Sequence, residues 1–338
     1  MSSGPDSPVH PTRDDPVVAS LSEGIGGPVG SRAGRHPWWT PVRVVLVLAA
    51  LCLALGLLQK TSCYEDSWQN GDERYTHMCY SDLPYLYTGR GFAELSWPYS
   101  DDAEVRNRHP VMEYPVLISY WAYGTAWVTH WLSGSPDLGP RYASQVSDVG
   151  LLPGVTAESR LFVAVTMVGL AGLTLLAAWL LAGVHRRRPW DATLLAASPA
   201  LALTAAINWD LLALVFVAGA LWAWARDKPV LTGVMIGLGT AAKLYPLFLL
   251  GALLVICLRH RRLQDFAAAV LAAVVAWGLA NLPGYVSGPE QWAHFWTFNS
   301  DRAADLGSLW LVLDQATDAG FTAPVSYTHL TLPTIYSV

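Results

Sequence analysis

Residues Leu161–Val184 read LFVAVTMVGLAGLTLLAAWLLAGV, an apolar run with no charge inside it, closed by His185-Arg186-Arg187-Arg188. At about 1.5 Å per residue, some two dozen helical residues cover a hydrocarbon core of about 30 Å, so the run reads as a membrane-crossing helix. The arginines that close it belong on the cytoplasmic side. Working outward, the same pattern recurs. Val44–Leu58 is a first apolar run, entered from Arg43 behind Trp38 and Trp39 and left at Lys60, and Tyr114–Leu132 is a second, crowded with aromatics. Past the arginines come Ala192–Ile207, Leu211–Ala225, Val230–Ala242, Leu244–Leu258 and Phe266–Leu282, each short for a full crossing. The expected fold class is therefore all-α, a polytopic transmembrane helical bundle of about eight apolar helices.

Composition agrees with that class. The chain is 53% hydrophobic and 14% charged, against about 25% charged residues in an ordinary soluble domain. Its net charge of −5 matters less than where the charges fall. Bases gather at Arg186–Arg188 and again at Arg259, Arg261 and Arg262, while acids concentrate between Glu65 and Glu113 and after Glu290. The basic clusters are short and lie beside apolar runs rather than along a groove, which excludes nucleic acid as a partner. Alternation of positive loops puts the polar stretch 61–112, Asp210, Lys243 and the segment after Pro283 on the outer side. One conflict follows. If Tyr114–Leu132 crosses fully, Leu161–Val184 carries its arginines to the wrong side, so either that segment is juxtamembrane or re-entrant, or a further crossing lies between Ser133 and Arg160. Many of the 16 Trp, among them Trp131, Trp190, Trp209, Trp222 and Trp224, stand where apolar runs meet polar ones and read as interfacial anchors.

The first 36 residues, rich in Ser, Gly, Pro and mixed charge, cannot bury enough apolar surface to fold and read as a disordered cytoplasmic tail. Residues 37–324 form the expected transmembrane domain, with 61–112 as its outer loop. The stretch 325–338 (VSYTHLTLPTIYSV) changes character abruptly and reads as a non-native tail, so the native chain is expected to continue past about Pro324 with further helices.

Chemistry concentrates where polar loops meet apolar runs. Asp82, within Cys79-Tyr80-Ser81-Asp82-Leu83-Pro84-Tyr85, has aromatic neighbours and a following proline. It is either a partly buried carboxylate able to act as a base or a helix N-cap. Arg90, Glu113 and Tyr114 lie farther along the same loop. Asp210 and Lys243 are ionisable groups between apolar runs, where a charge usually faces a cavity or a partner. The alternatives are that Asp210 caps the next helix and Lys243 snorkels to the interface. Tyr245 follows with Pro246, at a break that leaves backbone donors for an anion. Residues 291–299 (QWAHFWTFN), with Arg302 beyond, suit either a sugar or polyprenyl-phosphate site or an interfacial amphipathic helix. Cys63 and Cys79 share the outer loop 16 positions apart, and a disulfide there contributes about 3 kcal/mol by loop entropy. Cys52 and Cys257 read as packing residues. No zinc-type spacing, Walker loop or dinucleotide fingerprint appears, so no cofactor or metal site is expected, and a need for a divalent ion stays open.

Ser81-Asp82-Leu83, Glu113-Tyr114-Pro115, Asn208-Trp209-Asp210-Leu211-Leu212 and Ala242-Lys243-Leu244-Tyr245-Pro246, in this order between apolar runs, resemble family 87 type glycosyltransferases of the GT-C superfamily, the polyprenyl-phosphate-mannose-dependent mannosyltransferases of actinobacteria. The likeness runs from about Val44 to Trp310. Val116 stands where members often carry a second proline. The resemblance implies an inverting transfer of a hexose, most commonly mannose, from a polyprenyl-phosphate donor to a lipid or glycan acceptor, in a multi-pass protein of the cell membrane whose active site faces outward among membrane lipids. Asp82 matches the family's general base. Lys243 and Arg302 are then the cations for the departing phosphate, and Arg90, Glu113, Tyr114, Asp210 and Tyr245 the substrate-binding groups around them. A multi-pass transporter or lipid flippase is the alternative reading, but it should show an inverted repeat, and none is evident. A scaffold without chemistry would leave Asp82 freely replaceable.

Overall fold

The computed structural model describes residues 38–69, 71–185, 188–301 and 309–317; the expected tails at 1–36 and 325–338, and Arg302, lie outside them. The described residues form helices without a strand, an all-α bundle. The principal helices are α1 (Pro41–Gln59), α2 (Asp82–Gly89), α3 (Val116–Leu132), α4 (Val155–Ala182), α5 (Leu211–Trp224), α6 (Pro229–Ala242), α7 (Leu249–His260), α8 (Leu263–Ser287) and α9 (Pro289–Asp301). Of these, α1, α4 and α8 are long and apolar enough to cross a membrane. Their outer faces, at Leu55 and Leu58, Val168, Leu271 and Leu279, stay exposed. Apolar surface left uncovered on long helices is what lipid solvates.

Contacts fix the direction of each helix. Val45 and Ala49 near the start of α1 cluster with Ala178 and Ala182 near the end of α4, so those two run antiparallel. Ala177 of α4 packs with Val215 and Ala218 of α5, and Gly183 faces Trp222, so α4 and α5 run together. Helix α6 returns against α5, with Gly219 facing Met235 and Gly239 facing Phe216. Helices α6 and α8 then run side by side at close range. A Cβ on Gly233 or Gly237 would meet the carbonyl oxygens of Ala269 and Ala273 at 2.0 and 2.2 Å, so only glycine permits the approach.

The bundle thus has two ends. One carries His185, Arg188, Arg226, Lys228 and Arg259–Arg262, where Arg226 lies over the Trp222 ring at 3.9 Å and Arg262 pairs with Asp227 at 2.8 Å. The other carries the long loop, Asn208–Asp210 and Lys243.

Helix α3 removes the conflict over direction. Trp121 lies against Gly169 and Thr125 against Thr166, so α3 runs opposite to α4. Val116 packs with Ala241 and Trp277, while Tyr120 reaches Gly284 about two turns farther along α8. It therefore starts at the loop end and climbs away from the arginines. Residues 133–154 contain only two short helices, Gly139–Ala143 and Val146–Val149, and no further crossing. Helix α4 then descends alone to the arginine end.

Two extents differ from those read in the sequence. The run 192–207 is not one helix. It breaks into a 3-10 turn (Pro189–Ala192) and helices Thr193–Ala196 and Pro199–Thr204, because Ser198 precedes Pro199 and is driven to extended backbone at ψ 125°. Conversely, Pro283 does not end α8. The helix passes through it, with the neighbouring Gly284 N–H donated to Tyr120 Oη at 2.8 Å, a side-chain acceptor at the point where proline interrupts the ladder.

Candidate functional site

The loop end is built around Asp82. Ser81 caps α2, its Oγ accepting the Leu83 N–H at 3.4 Å, so Asp82 is the first helical residue and not the cap. Its own N–H donates to Ile207 O at 2.8 Å, in the turn before α5. The carboxylate is 8% exposed. Tyr80 Oη donates to Oδ1 at 2.8 Å and Tyr114 Oη to Oδ2 at 2.6 Å. Burial pushes the Asp82 carboxyl above the usual carboxylate range. The hydrogen bonds from Tyr114 and Tyr80 pull the other way, and the negative neighbours Glu113 and Asp210 add to the rise. Burial likewise lifts both phenols, so they remain donors.

Around this carboxylate stand most of the residues singled out in the sequence. Asp210 occupies the N-cap position of α5, but its side chain does not cap. Its Oδ1 accepts from Lys243 Nζ at 2.7 Å. Lys243 is buried rather than snorkelling, and its ammonium lies 5.5 Å from the centre of the Tyr114 ring. Asn208 Oδ1 accepts the Asp210 N–H at 3.0 Å and fixes the turn. Arg90, just past α2, holds Glu113 with two parallel bonds, Nε to Oε2 at 2.9 Å and Nη2 to Oε1 at 3.1 Å, at the half-buried rim. Tyr245 packs beside the same apolar core. Cys63 and Cys79 are joined by a disulfide that pins the segment leading into Asp82.

Two site residues carry no signal in the sequence that sets them apart. Tyr80 is one aromatic among several, and only its position two residues before Asp82 points to it. Trp209 is not an interfacial anchor but wholly buried, edge-on to Tyr114 at 5.6 Å. A narrow crevice, no larger than a water molecule, lies between Pro115, Val116, Thr240, Trp277 and the Trp292, Phe295 and Trp296 rings of α9. Helix α9 is turned onto α8 there by Trp292 Nε1, which donates to Asn281 Oδ1 at 2.8 Å. Among the described residues no group of three or more His, Cys, Asp or Glu is arranged to hold a metal.

A second set of buried charges lies in the loop layer. Glu94 accepts from Arg108 Nε and Nη2 at 2.9 and 2.7 Å and from His109 Nε2 at 2.8 Å. Glu158, on α4, accepts from Tyr87 Oη at 2.6 Å and from both terminal nitrogens of Arg141. Arg141 also donates to Ala93 O, tying residues 133–154 to the loop.

Compared with known proteins, residues 116–333 match the family model described as glycosyltransferase family 87. The matched stretch holds Asp210, Lys243, Tyr245 and Arg302 and begins after Asp82, Arg90, Glu113 and Tyr114. No curated protein and no solved structure matches the chain.

Proposed function

Because the chain belongs to glycosyltransferase family 87, we propose that it moves a hexose, mannose, from a polyprenyl-phosphate donor to a lipid or glycan acceptor, with Asp82 as general base. The observation that carries this is how Asp82 is held. It is a buried carboxylate bound by two phenols and, among the described residues, by no cation. A cation would hold it ionised but weakly basic, whereas burial raises its proton affinity. Each oxygen accepts one bond from a tyrosine and keeps a second lone pair for an incoming hydroxyl.

The step we infer is a direct displacement. The acceptor hydroxyl oxygen bonds to the anomeric carbon and its proton passes to Asp82. The bond from that carbon to the phosphate oxygen breaks, and its electron pair leaves on the phosphate, inverting the centre. Lys243 and Arg302 are assigned to the departing charge. Lys243 rests against Asp210 before the reaction, so its ammonium is held in place ahead of need. The aromatic side chains of α9 are assigned to the apolar faces of sugar rings, and the Arg90–Glu113 pair at the rim offers donors and acceptors to hydroxyls.

The arrangement of charge supports an enzyme of the cell membrane that crosses it several times. The arginine end is cytoplasmic by the positive-inside rule, and Asp82 faces the outer side at the opposite end. The test is transfer of radiolabelled mannose from polyprenyl-phosphate-mannose into membrane lipids or glycans, by the protein and by Asp82→Ala at matched expression. Label that disappears with Asp82 supports the reading. Equal label in both clears Asp82 of the role, and none above empty membranes rejects the donor.

A further inference from the structure

Three Lys or Arg residues are buried among the described residues: Lys60, Arg141 and Lys243. Arg141 pairs with Glu158 and Lys243 with Asp210. Lys60, the C-cap residue of α1, has no carboxylate partner among the described residues. Its ammonium donates to the carbonyl oxygens of Tyr80 at 2.8 Å and Met78 at 3.3 Å, and the residue is 5% exposed. Carbonyl dipoles orient a charge without neutralising it, so an ammonium buried this way is costly. Burial brings it down to about 8. A lysine after an apolar helix ordinarily sends its head to water; this one turns inward, onto the segment that leads into Asp82.

That segment is held by its carbonyl oxygens. Met78 O also takes Gln59 Nε2 at 2.8 Å, Cys79 O takes Trp68 Nε1 at 3.1 Å, and Cys79 is joined to Cys63. All these partners belong to the end of α1 and the turns just after it. Met78 has left-handed backbone at φ 52°, which a non-glycine residue keeps only where its surroundings impose it. Neutral donors serve Cys79, but the Tyr80 carbonyl takes the charged one, and a charged donor makes the stronger bond. On the far side, Ser81 Oγ and the Asp82 N–H both go to Ile207 O. Tyr80 thus stands between two anchors, Lys60 before it and Ile207 after it, with its ring stacked on Tyr85 at 5.7 Å and its phenol on Asp82 Oδ1 at 2.8 Å.

From this buried, unneutralised cation bonded to the backbone of the tyrosine that binds the base, we propose that Lys60 is a positioning residue for Asp82, fixing the backbone from which the Tyr80 phenol reaches Oδ1. This rests on the role proposed above for Asp82. Lys60 bonds to neither carboxylate oxygen and acts through Tyr80, whose hydrogen bond lowers the Asp82 carboxyl. Tyr114 holds the other oxygen from the far end of the loop and makes no bond to the segment that Lys60 holds. A membrane-crossing helix that gives the site no group of its own thereby sets one of the two hydrogen bonds on the base.

The experiment uses the full chain in phosphatidylcholine nanodiscs and two readouts. One is the pH midpoint of the infrared carboxyl band that Asp82→Asn removes, which needs no substrate; the other is sugar transfer per folded molecule. The proteins are the unmodified chain, Lys60→Met, Tyr80→Phe, Tyr114→Phe and the two double variants that combine Lys60→Met with each phenylalanine. Glu113, Asp210 and, through Asp210, Lys243 also face Asp82, and no variant changes them. Lys60→Met is expected to raise the midpoint by about half a pH unit or more and to lower transfer up to about tenfold, the scale of one lost hydrogen bond. Added to Tyr80→Phe it should move neither readout further, and added to Tyr114→Phe it should move both by its full amount. An unmoved midpoint in Lys60→Met overturns the proposal whatever the melting temperature does, because Lys60 is then a structural tie only. A full further shift in the Tyr80→Phe protein also overturns it, because the ammonium then acts on Asp82 by charge and not through the phenol. Lys60→Leu carries the same tests if the methionine variant is not recovered. A Tyr80-dependent shift without transfer by the unmodified protein sinks the proposed reaction and leaves the linkage from Lys60 to Asp82 standing, whereas transfer with an unmoved midpoint sinks the linkage alone.

Discussion

Asp82 and Glu94 are both buried carboxylates at the loop end of the bundle, and they are held in opposite ways. Burial drives each upward. At Glu94, hydrogen bonds from His109 and Arg108, and their charges, outweigh burial and bring the carboxyl down to about 2. At Asp82, among the described residues, only phenols donate to the carboxylate, and burial prevails. A carboxylate neutralised by guanidinium is a rivet; one held by neutral donors keeps its appetite for a proton. Burial alone therefore does not decide how tightly a carboxyl holds a proton. The partner's charge does.

The widest test of that contrast is Asp82→Asn, which keeps the shape and removes the base. Transfer should fall about 1,000-fold, within the range for a general base, with little change in melting temperature. A loss below about tenfold would put Asp82 in the same class as Glu94. Next in size, Glu158→Gln strands Arg141 in the interior and should cost about 3–5 kcal/mol of stability, read as a lower melting temperature. Transfer per folded molecule should hold steady; a catalytic loss at unchanged stability would dissolve the distinction between the two sets.

Acid titration sharpens it further. Glu94, native at about 2 against an ordinary 4.5, contributes stability that is full above 4.5 and is lost as pH falls toward 2. Asp82 has the opposite sign: its native pKa is raised, so its charge opposes folding and its protonation does not unfold the protein. Transfer should therefore fail on acidification before the fold does. The smallest effect is expected for Tyr114→Phe, about tenfold in transfer. Because the Tyr114 donor lowers the Asp82 carboxyl, its removal should move the acidic limb of kcat/KM upward, and a downward move would reverse the role given to the phenol.

Much of the helical framework was legible in the sequence because an apolar run records its own surroundings residue by residue. The runs around Val44–Leu58, Leu161–Val184 and Leu211–Ala225 became α1, α4 and α5 nearly as read. Direction was not legible. Nothing in Tyr114–Leu132 says that α3 points away from the arginines, since that follows from Trp121 meeting Gly169 across the bundle. Glu158 lay hidden for a related reason. It sits just before the clean apolar run, and only the loop folding down onto α4 buries it. Of the site, Asp82, Asp210 and Lys243 stood out as charges beside apolar runs, and the Asp210–Lys243 pairing is between residues 33 positions apart. Tyr80 and Trp209 did not stand out, because aromatics abound in this chain.

The bond from the Asp82 N–H to Ile207 carries a consequence for the order in which the molecule comes into being. Ser81, beside it, is 126 positions from the same carbonyl oxygen, so α2 waits for its anchor while α3 and α4 are still being made. A ribosome that has finished the loop has made the proposed base and its Tyr80 donor, but not the carbonyl that anchors the backbone beneath it. The seat of the carboxylate is thus completed late, after α3 and α4, and a nascent chain halted before the turn at Ile207 holds Asp82 without that anchor.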